Sequence, residues 1–573
     1  MSSVSRIESP AGNNGSVSIE LHGFEDGPSP TRPIDLNDPI VVAAAAERAT
    51  QFERDMPFWE AVKLYRWAIM WVVIFLVPIV GEGYGTVLIN SLFAQESFNE
   101  KFGVCVDGKC DVPARWKSAM NIAPICGEIL GLFISGILVD MWGFKKTMMG
   151  NLAFMIAAIF LPFFAGSPEV LVVSLYVDSF FQCLVTYAYL RNRVVAGIPW
   201  GAFQTIAPTY ASEVLPQAIR GILATSVNIC WLLGQLISQL VLAPLAHRED
   251  IWAFKIPIAI QWAFFVFVLP AVYVSPESPW YYARKGSVNA AKAALLRLAS
   301  GPCLAFNPDD IIALYRHTDD MEKKTSAGST YLDCFRGVDL RRTEVVGCSW
   351  LSQTFVGSTM MYFGTYFYIQ NGIPAERAYQ LGCGQYVVGI LASLCAMWLM
   401  NRFGRRTIYL SGGCALFVLL MIIGFTGLST GIAGHWATSS MLLLYTFVYN
   451  VTIGPVCYSI ISEIPSSRLK SKTIVLARMQ YNLGSIIVNI VTAYQLTAKP
   501  EGWNWGAFTG FFYAGLCALA VVWMYFRLPE SRWRGYAELD LLFGKKISAR
   551  HFAAAKVDLV AETVTLKSNE TSP

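Results

Sequence analysis

Twelve stretches of this sequence are dominated by apolar residues for roughly 20 residues each, and they constrain the fold more than any other feature. A helix of about 20 residues crosses a bilayer core that is about 30 Å thick. A soluble chain would place its apolar residues at amphipathic spacing instead. Charged residues make up only 15% of the sequence, against roughly 25% in an ordinary soluble protein. The sequence therefore predicts an all-α membrane protein of about twelve transmembrane helices.

The predicted spans form two sets of six. They run roughly over 67–94, 119–139, 147–166, 170–205, 223–246, 254–274, 345–370, 379–400, 407–426, 437–462, 473–497 and 506–527. Two such sets around a polar middle are typical of transporters with repeated halves. We expect a disordered N-terminal tail, an N-terminal bundle, a middle loop, a C-terminal bundle and a C-terminal tail, over residues 1–62, 63–274, 275–342, 343–528 and 529–573.

The lysines and arginines near the span ends predict the orientation of the chain. They are concentrated in the middle loop and in the loops after the second, fourth, eighth and tenth spans. Both tails and the middle loop are therefore expected in the cytosol, with the plasma membrane as the expected location. The polar first 60 residues show no cleavable signal peptide. Cys105 and Cys110 lie in a loop expected outside, where a disulfide is plausible.

A short cationic motif recurs at matching positions in the two halves. Gly136–Lys146 follows the second span, and Asn401–Arg406 follows the eighth. A glycine with two cations suits a tight turn between helices, where cations meet helix C-terminal carbonyls. Two copies at equivalent places indicate an internal repeat.

Further motifs point to a family. They are Arg193–Gly197, Pro208–Gly221, Pro276–Pro279, Gly454–Arg468 and Phe526–Ser531. With these motifs, the sequence resembles the sugar porter family of the major facilitator superfamily, from the first span to about Phe552. The stretches GIPWGAFQT, YASEV and FRLPESRWRGYAELDLLF are most similar to the fungal α-glucoside and maltose permease branch.

The resemblance implies the major facilitator fold and secondary active transport of a sugar by alternating access. The expected substrate is an α-glucoside such as maltose, or a hexose. The residues that match the family's binding positions are Asn228, Gln239, Gln353, Thr354, Asn450, Tyr458 and Asn482. Such amide and hydroxyl side chains suit sugar hydroxyls in a water-poor cavity. Thr354, Thr359 and Tyr458 depart from the family's usual residues, which leaves the identity of the sugar open.

Two carboxylates lie deep in apolar spans, Glu82 and Glu128. Burying an ionised carboxylate costs several kcal/mol unless it is paired, so each is expected to be protonated or partnered. In the family that the sequence resembles, an aspartate of span one pairs with an arginine of span four. Arg193 matches that arginine, but this chain has Gly85 at the position of the aspartate. Glu82, one turn away, is the expected substitute. Proton symport follows as the prediction, with a structural Glu–Arg pair in a facilitator as the alternative.

Gating is expected from charged residues at the cytosolic helix ends. Glu213 and Glu463 are predicted to pair across the bundles with Arg402 and Arg406, or with Lys145 and Lys146, when the inner mouth is closed. The full predicted gating set is Asp140, Lys145, Lys146, Glu213, Arg220, Arg402, Arg405, Arg406, Glu463 and Arg468.

Span four is anomalous because residues 175–192 interrupt the family-like sequence, and they are interpreted as an insert derived from an intron. Alternative functions are transport or export of another small metabolite and, at lower rank, a non-transporting sugar sensor. No nucleophile–base constellation, phosphate loop or metal-ligand spacing is visible, so neither an enzyme nor a metal or cofactor site is predicted. A net charge of +4 does not indicate nucleic acid binding. The expected partners are a sugar, a proton and the lipid bilayer, with the monomer as the working unit.

Overall fold

The structure is a computed structural model. It describes residues 39–106, 109–164, 199–246, 248–300, 307–326, 330–429, 431–466, 468–532, 534, 536–558 and 563–566. The predicted insert at 175–192 and Arg193 lie outside these residues.

The N-terminal half is built of helices that run back and forth. They are α1 (Pro39–Asp55), α2 (Phe58–Leu64), α3 (Arg66–Leu92), α4 (Glu96–Phe102), α5 (Ala114–Trp142), α6 (Phe144–Ala158), α7 (Phe160–Phe164), α8 (Pro199–Val214), α9 (Gln217–Leu242), α10 (Trp252–Val266) and α11 (Val268–Val274). Strands β1 (Val104–Val106) and β2 (Lys109–Asp111) form an antiparallel hairpin between α4 and α5, with Cys105 opposite Cys110.

The middle segment and the C-terminal half are also helical. The middle segment contains α12 (Pro279–Arg284), α13 (Val288–Leu298) and α14 (Pro308–Ser326). The C-terminal half contains α15 (Gly337–Phe355), α16 (Ser358–Tyr362), α17 (Gly364–Gln370), α18 (Ala375–Arg402), α19 (Arg405–Thr426), α20 (Ile432–Val451), α21 (Ile453–Glu463), α22 (Lys470–Leu496), α23 (Thr509–Arg527) and α24 (Tyr536–Gly544). Short 3-10 helices lie at Ala243–Leu245, Tyr331–Phe335, Gly506–Phe508 and Ala549–His551, and β3 (Ala555–Asp558) pairs with β4 (Thr563–Leu566).

Ten helices within the described residues are long and apolar enough to cross a membrane. The prediction of an all-α membrane protein is confirmed. Predicted span four is not among the ten because 165–198 are not described, and α8 supplies its end. Predicted span seven is a broken helix, since α15 stops before Gly357, whose φ of +100° suits only glycine, and α16 and α17 continue it. Broken helices are typical of transporter sites.

Apolar side chains on the outer surface of the bundle point away from the protein. Ile137 is 60% exposed, Phe267 76% and Leu519 66%. Soluble proteins rarely show so many apolar side chains at their surface. These residues therefore suit contact with lipid chains.

The bundle has two ends, which we name by what they carry. The hairpin face carries α4 and the β1–β2 hairpin. The tail face, at the opposite ends of α3 and α5, carries α1, α2, the middle helices α12–α14 and α24. Cys105 and Cys110 are disulfide-bonded in the hairpin.

The predicted disordered tail, 1–62, is corrected for residues 39–62, which form α1 and most of α2. Val42, Ala45 and Ala49 on α1 are buried against the middle helices, and Arg48 pairs with Asp310 on α14 at 2.7 Å. Their spacing of three, four and seven residues marks one face of a helix. The polar composition of the tail as a whole predicts disorder and conceals this local amphipathic helix.

Helices α3 and α9 approach to backbone contact, and this contact positions the central site. A Cβ atom on Gly234 would lie 2.0 Å from the Val80 carbonyl oxygen, and one on Gly83 would lie 2.4 Å from the Trp231 carbonyl oxygen. Small residues allow such close packing of transmembrane helices. The contact brings α3 and Trp231 to the same side of the central cavity.

We predict that Gly234→Ala destabilises the protein, because its methyl group has no space between α3 and α9. Overpacking of this kind costs about 1–3 kcal/mol or more. The check is the thermal aggregation midpoint of the detergent-extracted protein, which should fall by several degrees. Gly136→Ala is the matched control, since nothing lies within 4 Å of a Cβ atom at Gly136. A similar midpoint for the two variants would contradict the prediction.

Candidate functional site

A cavity of about 120 Å³ lies between the two halves of the chain. Helices α3, α5, α8 and α9 line it from the N-terminal half, and α16 and α22 line it from the C-terminal half. Its walls carry side-chain amides, which offer both donors and acceptors, at Asn90, Asn121, Gln235, Asn482 and Asn489. Aromatic rings of Trp200, Trp231, Tyr362 and Tyr481 complete the wall. Such a combination suits a small polyhydroxylated ligand.

A buried ion pair joins the two halves at this cavity. The Arg478 guanidinium on α22 donates two hydrogen bonds to Oε1 of Glu128 on α5, one of them from Nε at 2.9 Å. The side chains are only 6% and 10% exposed. The rings of Trp231, Trp350 and Tyr481 surround the guanidinium at 4.7–5.7 Å. The pair therefore compensates both charges in an otherwise apolar layer.

Glu82 lies beside this pair. It is 2% exposed, and its Oε1 accepts a hydrogen bond from Gln204 Nε2 on α8. It is close enough to interact electrostatically with both Glu128 and Arg478. The predicted partner, Arg193, is outside the described residues, among which Gln204 donates a hydrogen bond to Glu82. Arg478 therefore bonds one carboxylate, Glu128, while a second carboxylate, Glu82, lies within its electrostatic reach.

Arg478 is a candidate functional residue that was not predicted from the sequence. It stands in the predicted eleventh span, within the run LARMQYNLGSIIVNI. A charged residue inside a membrane span is expensive and usually functional. That signal was available from the sequence, although its pairing with Glu128, 350 positions away, was not.

Gly85 stands at the position where the family has an aspartate. The ring of Trp200 fills the space that a side chain at this position would occupy. A Cβ atom on Gly85 would lie 2.8 Å from Cζ2 of Trp200. Trp200 itself lines the cavity and is 5% exposed. An aromatic wall thus stands where a carboxylate was expected, and Glu82 and Glu128 are the carboxylates among the described lining residues.

Several of the predicted substrate-binding amides bond to other helices instead of lining the cavity. Asn228 donates to Ser393 Oγ at 2.9 Å and to Asn450 Oδ1 at 3.4 Å, both in the other half. Gln239 donates to Ser91 Oγ at 2.6 Å and accepts from Thr365 at 3.0 Å. In this conformation Asn228, Gln239 and Asn450 therefore hold helices together.

The remaining predicted binding residues divide between helix contacts and the cavity. Gln353 donates to the Gly454 carbonyl at 3.2 Å, and Thr354 bonds Ser485 Oγ at 3.2 Å. Tyr458 packs between the rings of Trp231 and Trp350. Of the seven predicted residues, Asn482 lines the cavity, and its amide nitrogen and oxygen have no hydrogen-bond partner among the described residues. Asn482 is therefore free to bind a ligand.

The tail face shows the internal repeat as matching caps. Glu277 accepts hydrogen bonds from the backbone N–H groups of Phe144 and Lys145, at 2.9 and 3.1 Å. Glu530 accepts from the backbone N–H groups of Arg405 and Arg406, at 2.8 and 3.1 Å. Each carboxylate thus caps the helix that follows the cationic motif of its own half. Burial raises the pKa of Glu277, while these backbone hydrogen bonds act to lower it.

The two gating glutamates have local partners, Glu213 in the middle segment and Glu463 in the C-terminal part of the chain. Glu213 binds Arg284 at 2.6 Å and Ser278. Glu463 binds Arg405 at 3.0 Å and accepts from Ser531 Oγ at 2.6 Å. These are not the partners across the halves that were predicted for a closed inner mouth, and that pairing stays a prediction. In this structure Ser278 and Ser531, which follow the sixth and twelfth spans, and Arg284 and Arg405 occupy the two carboxylates instead.

The other predicted gating residues occupy the same face with separate contacts. Lys145 lies over the Tyr273 ring and Arg402 over the Trp398 ring. Arg406 donates a hydrogen bond to the Tyr525 carbonyl at 2.8 Å, and Arg468 forms an ion pair with Asp339 at 3.3 Å. Asp140 interacts electrostatically with Glu213. Lys146 is exposed, and the side chain of Arg220 is outside the described part.

The chain matches known proteins along most of its length. The family model described as "Sugar (and other) transporter" matches residues 70–543. The alpha-glucosides permease MPH2 of Saccharomyces cerevisiae is 33% identical over 567 residues, covering 96% of this chain and 89% of the relative. The general alpha-glucoside permease is 33% identical and covers 90% and 81%, and the maltose permease MAL61 is 31% identical and covers 94% and 87%.

Solved structures show the same fold. The proton:xylose symporter XylE bound to 6-bromo-6-deoxy-D-glucose superposes with a TM-score of 0.65 at 18% identity, covering 83% of this chain and 99% of that one. The inward-open conformation of the xylose transporter XylE from E. coli gives a TM-score of 0.62 at 17% identity, covering 83% and 99%. The chain belongs to the sugar porter family of the major facilitator superfamily.

Proposed function

We propose that this protein carries a sugar, an α-glucoside such as maltose or else a hexose, across the plasma membrane in symport with protons. The observation that supports this most directly is the cavity between the halves, where Glu82, Glu128 and Arg478 meet a wall of amides and aromatic rings. Relatives named as α-glucoside and maltose permeases, at 31–33% identity, support the substrate class. We also propose the monomer as the working unit, because the two halves of one chain together line this cavity.

The sugar would bind by the two means that the cavity provides. Amides such as Asn482 and Asn489 exchange hydrogen bonds with the hydroxyl groups, and the rings of Trp200 and Trp231 cover apolar faces of the sugar. Alternating access then requires the halves to rock about this site, so that it faces each side in turn. We propose that the hairpin face is outside and that both tails are cytosolic, as the lysines and arginines of the loops predict.

The proton would act through the shared guanidinium. When Glu82 carries a proton, Arg478 has one charged partner, Glu128, and the bridge between the halves is strong. When Glu82 loses its proton, two carboxylates compete for one guanidinium, and the Glu128–Arg478 bridge weakens. Protonation at Glu82 would thus be coupled to a contact that joins the halves, which is what symport requires.

The test is uptake of labelled maltose, glucose and other glucosides by cells that lack their own carriers. Uptake of at least one sugar should rise when the outside is acidified. If reconstituted protein transports sugar at rates that ignore an imposed pH gradient, the proton part of the proposal fails. If correctly inserted protein transports none of these sugars, the proposal that the cargo is a sugar fails. Efflux of other small metabolites is then the hypothesis to test.

A further inference from the structure

A buried lysine lies at the hairpin face, away from the central cavity. Lys117, at the first turn of α5, is 0% exposed. Its Nζ donates to Asp111 Oδ1 at 2.7 Å, to Tyr366 Oη at 2.5 Å and to Thr497 Oγ1 at 3.4 Å. Tyr366 Oη in turn donates to Asp111 Oδ2 at 3.1 Å. The ammonium thus has three acceptors, and it also lies 4.1 Å from the centre of the Tyr366 ring.

These contacts join the two halves of the protein. Asp111 is the last residue of the hairpin, next to the disulfide-bonded Cys110, and it belongs with Lys117 to the N-terminal half. Tyr366 is on α17 and Thr497 follows α22, so both belong to the C-terminal half. The halves also meet nearby where Tyr379 Oη donates to the Ser91 carbonyl at 2.9 Å.

The cluster lies directly beside the cavity. Asn121, one helical turn beyond Lys117, donates to the Lys117 carbonyl at 3.0 Å and lines the cavity. Lys117 thus lies one helical turn from the cavity lining, on the side of the hairpin face. The cluster is therefore in the right place to close the cavity on that side.

The division of partners makes the cluster separable at low cost. Charge compensation comes from Asp111, which stays with Lys117 when the halves part. The contacts that break are hydrogen bonds to the neutral hydroxyls of Tyr366 and Thr497. These bonds are charge-assisted, but each still contributes less than it costs to separate the two charges of a buried ion pair. The cluster can open without leaving a buried charge uncompensated.

We propose that Asp111, Lys117 and Tyr366 form an outer gate that closes the sugar cavity at the hairpin face, and that it opens when Tyr366 leaves the Lys117–Asp111 pair. This inference rests on the proposed function for the identity of the cargo and of the outer side. It adds residues outside the central cavity to the transport cycle, and it assigns a role to the disulfide-bonded hairpin, which holds Asp111 in place.

The test is labelling from outside of a reporter cysteine in the cavity, Asn489→Cys, by a membrane-impermeant maleimide on intact cells without sugar. Tyr366→Phe keeps the ring but removes the hydroxyl, so it should shift the protein toward the outward-open state and speed labelling by about tenfold. Tyr368→Phe is the matched control. Tyr368 is on the same helix and equally buried, but its hydroxyl bonds Gln385 Oε1 at 2.9 Å within the C-terminal half.

The proposal is overturned if Tyr366→Phe and Tyr368→Phe are labelled at the same rate as the parent reporter. Inside-out vesicles exclude simple unfolding, because an open outer gate should lower labelling from the tail face, whereas an unfolded protein is labelled from both sides. Lys117→Met provides a second gate variant with the same expectation. Since no sugar is present, this result does not depend on whether the protein transports sugar, and failure of the sugar uptake assay would bear on the proposed function alone.

Discussion

Replacing Arg478 by methionine should reduce sugar uptake about 100-fold or more. The variant leaves Glu128 buried beside Glu82 with no counter-charge, and breaking a buried ion pair from one side costs about 3–5 kcal/mol. The bridge also joins α5 of the N-terminal half to α22 of the C-terminal half, so its loss removes a contact on which the proposed rocking of the halves depends. The measurement is the initial rate of labelled sugar uptake, normalised to the amount of protein at the cell surface.

The matched control for this variant is Arg527→Met. Arg527 also pairs with a glutamate, Glu344, but its side chain is 45% exposed and the pair lies outside the cavity. An exposed pair contributes about 0–1 kcal/mol, so this control should transport normally. The double variant Glu128→Gln with Arg478→Met removes both charges and should recover surface expression without recovering active uptake. Arg478→Met protein that transports at more than half the parent rate would contradict the central role of the bridge.

The membrane fold could be predicted from the sequence because a bilayer imposes a simple rule. Each crossing needs about 20 apolar residues, and the rule holds whatever packs against them. Outside the membrane spans this rule does not apply, and the structure was predicted less well there. Residues 39–55 are too short and too polar for a span. Their apolar spacing marks a helix face, but the helix that this face packs against, α14, cannot be read from a local pattern.

The sequence was enough to predict some of the charged residues of the candidate site, but not which side chains contact one another. Glu82 and Glu128 were identified because a carboxylate in an apolar run is costly wherever it lies. The amides could not be assigned in the same way, because an amide in a membrane is satisfied equally well by a ligand or by another helix. Asn228 and Gln239 are bonded to neighbouring helices, whereas Asn482 faces the cavity. Whether an amide faces the cavity or a neighbouring helix depends on how its helix is rotated about its axis, and this rotation could not be predicted from the sequence.

Replacing Glu82 by glutamine should separate sugar movement from the proton gradient. Glutamine keeps the shape of the side chain and can still bond Gln204, while it cannot lose a proton. The Glu128–Arg478 bridge then has no competing carboxylate, so the protein behaves as if Glu82 were permanently protonated. Exchange of sugar across the membrane should continue, whereas net uphill uptake should stop.

The measurement uses proteoliposomes with a pH difference of one unit, acidic outside. One proton per sugar would supply about 1.4 kcal/mol, enough for about tenfold accumulation in the parent protein. In Glu82→Gln the accumulation ratio should remain about one, and exchange of labelled for unlabelled sugar should stay within about threefold of the parent. Glu344→Gln, a carboxylate paired with Arg527 away from the cavity, should accumulate sugar as the parent does. Gradient-driven accumulation by Glu82→Gln would show that the proton travels on another group, and Glu128 would then be the remaining carboxylate of the cavity to carry it.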